Sequence, residues 1–282
     1  IGSSSSCILT LKKAKCRSTK TVVDRGSTHI LEQLELVRSA YESAGLPYHL
    51  PANSVVDASL REYAECDKIL VPSRFVERSF LEQGVPPGKL LRVNYGVDLT
   101  RFRRVHKQDT TFRFAFCGGV TVRKGAHLIL KAFNELRLPH AELWFVGNVS
   151  REMRPFAQRY GENVHFLGRK PFAEVHWYLS QCDAFVLMSF EEGLAMVMPQ
   201  AMACGLPVVA TQNTGAEDIV RDGIEGFVIG SGDIETLKEK LVYMYRNTDA
   251  CREMGKKALA RVADGLTWND YGNKIVDVLH RI

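Results

Sequence analysis

The residues best placed to do chemistry lie in two stretches. FCGGVTVRKG at 116–125 joins an apolar run to a glycine pair and then to Arg123 and Lys124. Gly118 and Gly119 let backbone amides approach a ligand, and the two cations can neutralise phosphate oxygens beside the start of the next helix. The spacing makes neither a Walker loop nor a dinucleotide fingerprint, and a tight strand-to-helix turn with exposed basic residues explains it equally well. SFEEGLAMVMPQAMACG at 189–205 sets Glu191 and Glu192 before a glycine, an apolar run and a single amide, Gln200. A carboxylate at such a turn can fix hydroxyl groups and stabilise developing positive charge, while the helix-start amides after Gly193 can hold an anion. Glu191 reads as a solvated loop residue. Gln200 can donate and accept hydrogen bonds, either to a ligand or to polar groups near its helix.

Positioning these stretches requires strands and helices in alternation. From residue 111 onwards, apolar runs at 112–117, 141–147, 164–168, 184–189, 207–211 and 226–230 alternate with helical patterns near 125–136, 151–160, 172–181, 197–204 and 216–221. Strands buried on both faces and separated by helices demand a parallel sheet, which predicts an α/β fold with both stretches at its carboxyl edge. Before residue 99 the same grammar is shorter, with strands at 21–24, 68–73 and 90–96 and helices near 33–43, 56–65 and 74–83. Ser73 can cap the last of these helices and Gly84 can end it. Three strands leave poorly protected edges, so residues 1–98 read as a truncated amino-terminal domain whose edges a further part of the domain, or another subunit, would cover. The charged stretch 97–110 marks the boundary to a second domain, 99–265. Two helices end the chain: Asp233 starts one carrying Leu237, Leu241 and Tyr245, and a capping box of Thr267 and Asp270 opens the other, at 266–282.

A chain of 282 residues, 45% of them hydrophobic, supports one large domain or two smaller ones. Its net charge of +5 is spread over short patches. That is too mild for nucleic acid and compatible with phosphate-bearing ligands or peripheral contact with an anionic membrane. The seven cysteines lack metal-site spacing, and several sit in apolar runs, which fits a reducing, cytoplasmic setting. No apolar segment reaches the roughly 20 residues needed to span a bilayer.

Taken in order, ECDKILVPSRF, RVNYGVDLTRF, GGVTVRKG, FLG, SFEEGLAMVMPQAMACGLPVVAT and GAEDIVRDGIEGFVI resemble family-four retaining glycosyltransferases of the GT-B fold. The resemblance implies two Rossmann-like domains with parallel sheets facing a nucleotide-sugar cleft, the second binding the donor and the 266–282 helix returning to the first. By the same resemblance, Lys124 stands for a phosphate-binding lysine and Glu192 for the first of two acids, the one that contacts donor-sugar hydroxyls. Leu194, Ala195 and Met196 match a pyrophosphate-binding turn. Gln200 takes the place of the second acid, associated with the donor ribose. Gly119 stands where the family often has arginine, with Arg123 as a substitute. His29, after TVVDRGST, matches a histidine facing donor and acceptor, while Asp24 and Arg25 would either bind acceptor or organise their loop. Arg169 and Lys170 follow a strand near where the family approaches the nucleotide base. His127 reads as packing or capping, and His165 and His176 as structural.

The expected activity is transfer of a sugar from a UDP-sugar or GDP-sugar to a hydroxyl of a carbohydrate, lipid or small-molecule acceptor, with retention of configuration. Glu192 and His29 are the catalytic candidates. Gly118, Gly119, Arg123, Lys124, Leu194, Ala195, Met196 and Gln200 form the donor-binding set. No cofactor or metal is expected, in keeping with the lack of an Asp-x-Asp cluster. Gln200, Gly119 and the short first domain keep a weakened or inactive nucleotide-sugar-binding protein open as the alternative, with a nucleotide-sugar epimerase as the second.

Overall fold

In the computed structural model, which describes residues 1–158 and 161–282, the chain opens with β1 (Gly2–Ser3), α1 (Ile8–Lys15), β2 (Val22–Asp24) and α2 (Ile30–Ser43). It continues through α3 (Asn53–Glu65), β3 (Lys68–Val71), α4 (Arg74–Glu82) and β4 (Leu90–Arg92). The strands form a parallel sheet in the order β1-β2-β3-β4, one strand more than the pattern predicts. Gly2 and Ser3 pair with Val23 and Asp24, and a two-residue strand carries no apolar period by which to find it. Helix α1 also escapes the pattern, because ILTLKKAK buries only Leu11 and ends in a basic turn. Strand alternation divides the apolar residues between two faces. Val23, Ile69 and Val71 pack with Ile30, Tyr63, Val76 and Phe80 from the helices. Val22 and Leu70 face the other way.

The second sheet comprises β5 (Phe112–Cys117), α5 (Ala126–Leu136), β6 (Ala141–Val146), α6 (Arg154–Ala157), β7 (Val164–Gly168), α7 (Val175–Ser180) and β8 (Ala184–Leu187). After these come α8 (Val197–Ala203), β9 (Val208–Thr211) and β10 (Gly226–Ile229). All six strands are parallel, in the order β10-β9-β8-β5-β6-β7. Phe114, Phe116, Leu143, Phe145, Phe185 and Leu187 are wholly buried, as strands of a two-sided parallel sheet must be. The chain runs outward from β5 to β7, then returns to lay β8, β9 and β10 on the other side of β5. Winding therefore reverses between β5 and β8, and the loops leaving these two strands border a crevice of the kind where α/β sheets hold ligands. Those loops are the two stretches singled out above.

Three helices end the chain where the pattern predicts two: α9 (Ile234–Arg246), α10 (Thr248–Ala263) and α11 (Trp268–Leu279). The buried side of α10 is Cys251, Met254, Gly255, Ala258 and Val262, mostly small residues that make a faint apolar stripe. The helix expected near 151–160 is a 3-10 turn at Arg151–Met153 followed by α6, and its last two positions, 159 and 160, lie outside the described residues. The one expected near 216–221 is a single 3-10 turn at Ala216–Asp218. Helix α11 begins at a capping box of Thr267 and Asp270. It packs Tyr271, Ile275, Val278 and Leu279 against Val22, Leu70 and Val93 beside the first sheet. No helix among the described residues is long and apolar enough to cross a membrane, and all seven cysteines are free thiols.

Candidate active site at the crevice between the sheets

The loop after β5 is shaped by close backbone contacts. Gly118 has φ +128, and a Cβ there would come within 3.2 Å of Lys124 Nζ, so the glycine makes room for the amine. Gly147, at the end of β6, approaches so closely that a Cβ would meet the Gly118 carbonyl oxygen at 1.8 Å. Val120 donates to the Asn148 carbonyl at 2.9 Å, and its own carbonyl accepts from the Ser150 amide at 3.1 Å. Gly125, at φ +65, turns the chain into α5 against the Met188 carbonyl. Gly119 is exposed and meets only the Thr121 methyl, at 3.6 Å. The turn therefore needs Gly118 and Gly125 for steric reasons and does not need Gly119.

The loop after β8 is stitched to its neighbours residue by residue. The Phe190 amide donates to the Arg123 carbonyl at 2.9 Å, and Asn213 Nδ2 donates to the Phe190 carbonyl at 2.8 Å. The Glu192 amide donates to the Asn213 carbonyl at 3.0 Å, and Ser73 Oγ, from the first sheet's side, donates to the Gly193 carbonyl at 2.5 Å. These bonds hold Glu192 where Lys124 Nζ is 3.2 Å and Arg123 3.4 Å from its Oε1. Oε1 is shielded from solvent and receives neither approach in hydrogen-bond geometry, so distance and charge alone bind the group. Of the turn residues, Leu194 and Ala195 are buried and Met196 is exposed. The Ala195 amide already donates to the Thr214 carbonyl at 3.0 Å, which removes it from the set of amides available to an anion. Gln200 lies half-buried within α8, with Pro199 in the first turn where its missing amide hydrogen costs little.

Glu191 is not the solvated loop residue that the sequence suggests. Its side chain is completely buried and accepts from Thr28, Gln33 and Arg123. His29 also departs from expectation. It caps α2, accepting from the Leu31 amide at 3.4 Å, and its ring sits 5.0 Å from both Tyr63 and Phe80. The ring thus packs inside the first unit and contacts neither Glu192 nor Lys124. Arg25 is buried and organises its loop through Thr28 and Gln33. Burial raises the Asp24 carboxyl, whose Oδ1 has no partner. His127 is buried, with Nε2 2.9 Å from Ser43 Oγ and its ring stacked on Phe190. Lys170 lies over the Tyr178 ring at 4.9 Å. Among the described residues no group of His, Cys, Asp or Glu is arranged to hold a metal ion. Thr28, Gln33 and Asn213 are participants that the sequence does not reveal, and Ser73 shows there only as a helix cap, since their partners lie far away in the chain.

Burial holds His29 and His127 down at about 4 from the ordinary 6.5, with Arg25 adding repulsion at His29. Between those values the unfolded chain binds more protons than the folded one. The stabilisation is therefore complete above about pH 6.5 and is lost as pH falls towards about 4. Thermal midpoints measured across this window are expected to fall on the acid side. The fall should be shallower in His127→Gln, and equal slopes for the two proteins would contradict the assignment.

Two Rossmann-like parallel sheets, with cation-bearing and carboxylate-bearing loops at the point where one of them reverses its winding, define the GT-B class of glycosyltransferase folds. The family described as Glycosyl transferases group 1 matches residues 99–261, and the chain belongs to that family of enzymes. The putative colanic acid biosynthesis glycosyltransferase WcaL of Salmonella typhimurium is 26% identical over 214 residues, 71% of this chain and 53% of that protein. The GDP-mannose-dependent monoacylated alpha-(1-6)-phosphatidylinositol monomannoside mannosyltransferase of Corynebacterium glutamicum is 28% identical over 65% of this chain and 54% of its own length. The chain thus spans about half the length of these curated relatives. Sucrose-phosphate synthase from Thermosynechococcus elongatus superposes with a TM-score of 0.79 at 20% identity, covering 99% of this chain and 72% of that one. Anabaena HepE in complex with UDP superposes with a TM-score of 0.79 at 16% identity, covering 97% and 76%. These two likenesses concern the fold.

Proposed function

We propose that the protein is a retaining, family-four glycosyltransferase that moves a sugar from a UDP-sugar or GDP-sugar to an acceptor hydroxyl. The observation that carries this reading is the convergence of Lys124 and Arg123 on one oxygen of Glu192 at the switch point. A diphosphate is the ligand that two adjacent cations and a glycine turn suit, and an acid beside them suits the hydroxyls of the attached sugar. The named relative that uses GDP-mannose and the solved neighbour that holds UDP support a nucleoside diphosphate donor. In the reaction, the bond from the sugar's anomeric carbon to the diphosphate oxygen breaks as the bond to the acceptor oxygen forms on the same face. Lys124 and Arg123 balance the charge that gathers on the leaving diphosphate, and the acceptor's proton passes to a leaving phosphate oxygen. Glu192 holds the sugar and favours the positive charge developing at its ring.

Calorimetric titration and initial rates with a panel of UDP- and GDP-sugars test the reading. Glu192→Gln is expected to slow transfer about 100-fold and to change donor-sugar preference, with UDP or GDP affinity kept within about threefold. Transfer at the wild-type rate would remove Glu192 from the site. Gln200, an amide where the resemblance expects an acid, favours a second reading, a nucleotide-sugar-binding protein with little turnover. Donor binding with neither transfer nor hydrolysis across a broad acceptor panel would select it.

A further inference from the structure

We propose that Glu191 is a positioning residue that couples closure of the two halves of the molecule to the presentation of Arg123 at the crevice. The inference rests on the donor reading above only for the identity of the ligand that Arg123 meets. A carboxylate with no solvent exposure needs charge-assisted hydrogen bonds from several directions, and those of Glu191 come from both halves. Its Oε1 accepts from the Thr28 amide at 3.1 Å and the Thr28 hydroxyl at 3.2 Å. Its Oε2 accepts from Gln33 Nε2 at 3.2 Å and from Arg123 at 3.1 Å. Gln33 Oε1 accepts in turn from Arg25 at 2.6 Å, and Arg25 Nε donates to the Thr28 carbonyl at 3.0 Å. The outcome is a polar circuit in which Arg25 sets Thr28 and Gln33, these hold one side of Glu191, and Arg123 holds the other.

Separation of the halves would strip Thr28 and Gln33 from the carboxylate and admit water, while Arg123, on the same side as Glu191, would stay. Only the closed arrangement therefore fixes the carboxylate that anchors Arg123. One guanidinium nitrogen is occupied by the Glu191 carbonyl at 2.9 Å and its Oε2 at 3.1 Å, which aims the other at the Glu192 side of the crevice, 3.4 Å from Oε1. Other contacts across the junction differ in kind. Ser43 with His127 and Ser73 with Gly193 are single hydrogen bonds, and the exposed Arg78–Glu217 pair, at 3.6 Å, is weak in water. Asp218, which accepts from the Arg74 amide at 2.8 Å with the exposed Arg74 guanidinium 3.7 Å away, joins the halves away from the crevice cations. Glu191 alone among them touches a cation of the crevice.

The test compares the wild-type chain with Glu191→Gln, Gln33→Leu and Thr28→Val by small-angle X-ray scattering and by calorimetric titration with UDP and with GDP. Gln33→Leu and Thr28→Val touch only the first-sheet side. By opening the halves and releasing the carboxylate that anchors Arg123, they are expected to increase the radius of gyration and to weaken nucleotide binding about threefold, whereas Glu191→Gln, which also loses the ion pair with Arg123, should increase the radius and weaken binding about tenfold. An unchanged radius in all three variants overturns the coupling whatever the titrations show. Expansion with wild-type affinity in any of the three overturns the coupling of closure to the positioning of Arg123. If the wild-type chain binds neither nucleotide while the variants expand, the donor reading fails and the closing role of Glu191 is upheld. Should Glu191→Gln not fold, the half-buried Gln33→Leu still decides whether the circuit governs closure.

Discussion

Lys124→Ala is expected to weaken binding of UDP and of GDP about 10- to 100-fold, the effect of losing one charge-assisted contact of roughly 1.5–3 kcal/mol. The amine has little else to do. It stands over Gly118 in a pocket where a single added carbon would crowd it, and its ionic contact is Glu192, 3.2 Å away. It props up no strand or helix, so the thermal midpoint should move little. The loss should also be partial, because Arg123 remains 3.4 Å from the same carboxylate oxygen and is anchored separately by Glu191. Lys124→Arg should restore only part of the affinity, since a planar guanidinium is larger than the ammonium for which Gly118 leaves space. Calorimetric titration with either nucleotide measures the change. Wild-type affinity in Lys124→Ala would place the diphosphate elsewhere.

The same pair of loops shows what a sequence can disclose and where it stops. Strands β5 to β10 are legible because each is a short apolar run, with β5, β8 and β9 at the centre of the sheet buried along their whole length, and a glycine with two cations at a strand end is a local signal. Glu191 and Glu192 are a different matter. Adjacent acids look alike in a sequence, and the partners that bury the first are Thr28 and Gln33, 163 and 158 residues away in the chain. No local pattern reports such a contact. His29 misleads for the opposite reason, since its neighbours in the chain suggest a site while Tyr63 and Phe80, distant in sequence, enclose its ring. The Ala195 amide is lost to Thr214 by the same kind of long-range pairing. Helix α10 fails on composition, because Gly255 and Ala258 serve close packing and carry almost no hydrophobic contrast.

Gly193→Ala is expected to leave both sheets folded and to keep them from closing on one another. A Cβ at this position would lie 1.9 Å from the Gly26 carbonyl oxygen and 3.1 Å from Pro72 Cγ, both on the first-sheet side. Gly193 does not have the positive φ that restricts a residue to glycine, so alanine meets no obstacle until the halves approach. Backbone atoms cannot rotate aside, and overpacking of about 1–3 kcal/mol would fall entirely on the closed state. Each 1.4 kcal/mol shifts that equilibrium about tenfold, so turnover should drop about 10- to 100-fold while the thermal midpoint stays near the wild-type value. Gly125→Ala supplies the contrast. Its Cβ would meet the Met188 carbonyl oxygen at 2.0 Å, and its φ is +65, with both partners inside one sheet and its loops. There the same single carbon should lower the melting temperature by several degrees whether or not the halves meet. Scanning fluorimetry and small-angle scattering on the two variants separate the cases. If Gly193→Ala melts as early as Gly125→Ala, the two sheets unfold as one unit and the glycine contact belongs to the fold. If it melts like the wild type and scatters as a larger particle, Gly193 and Gly26 mark the surface on which the crevice closes.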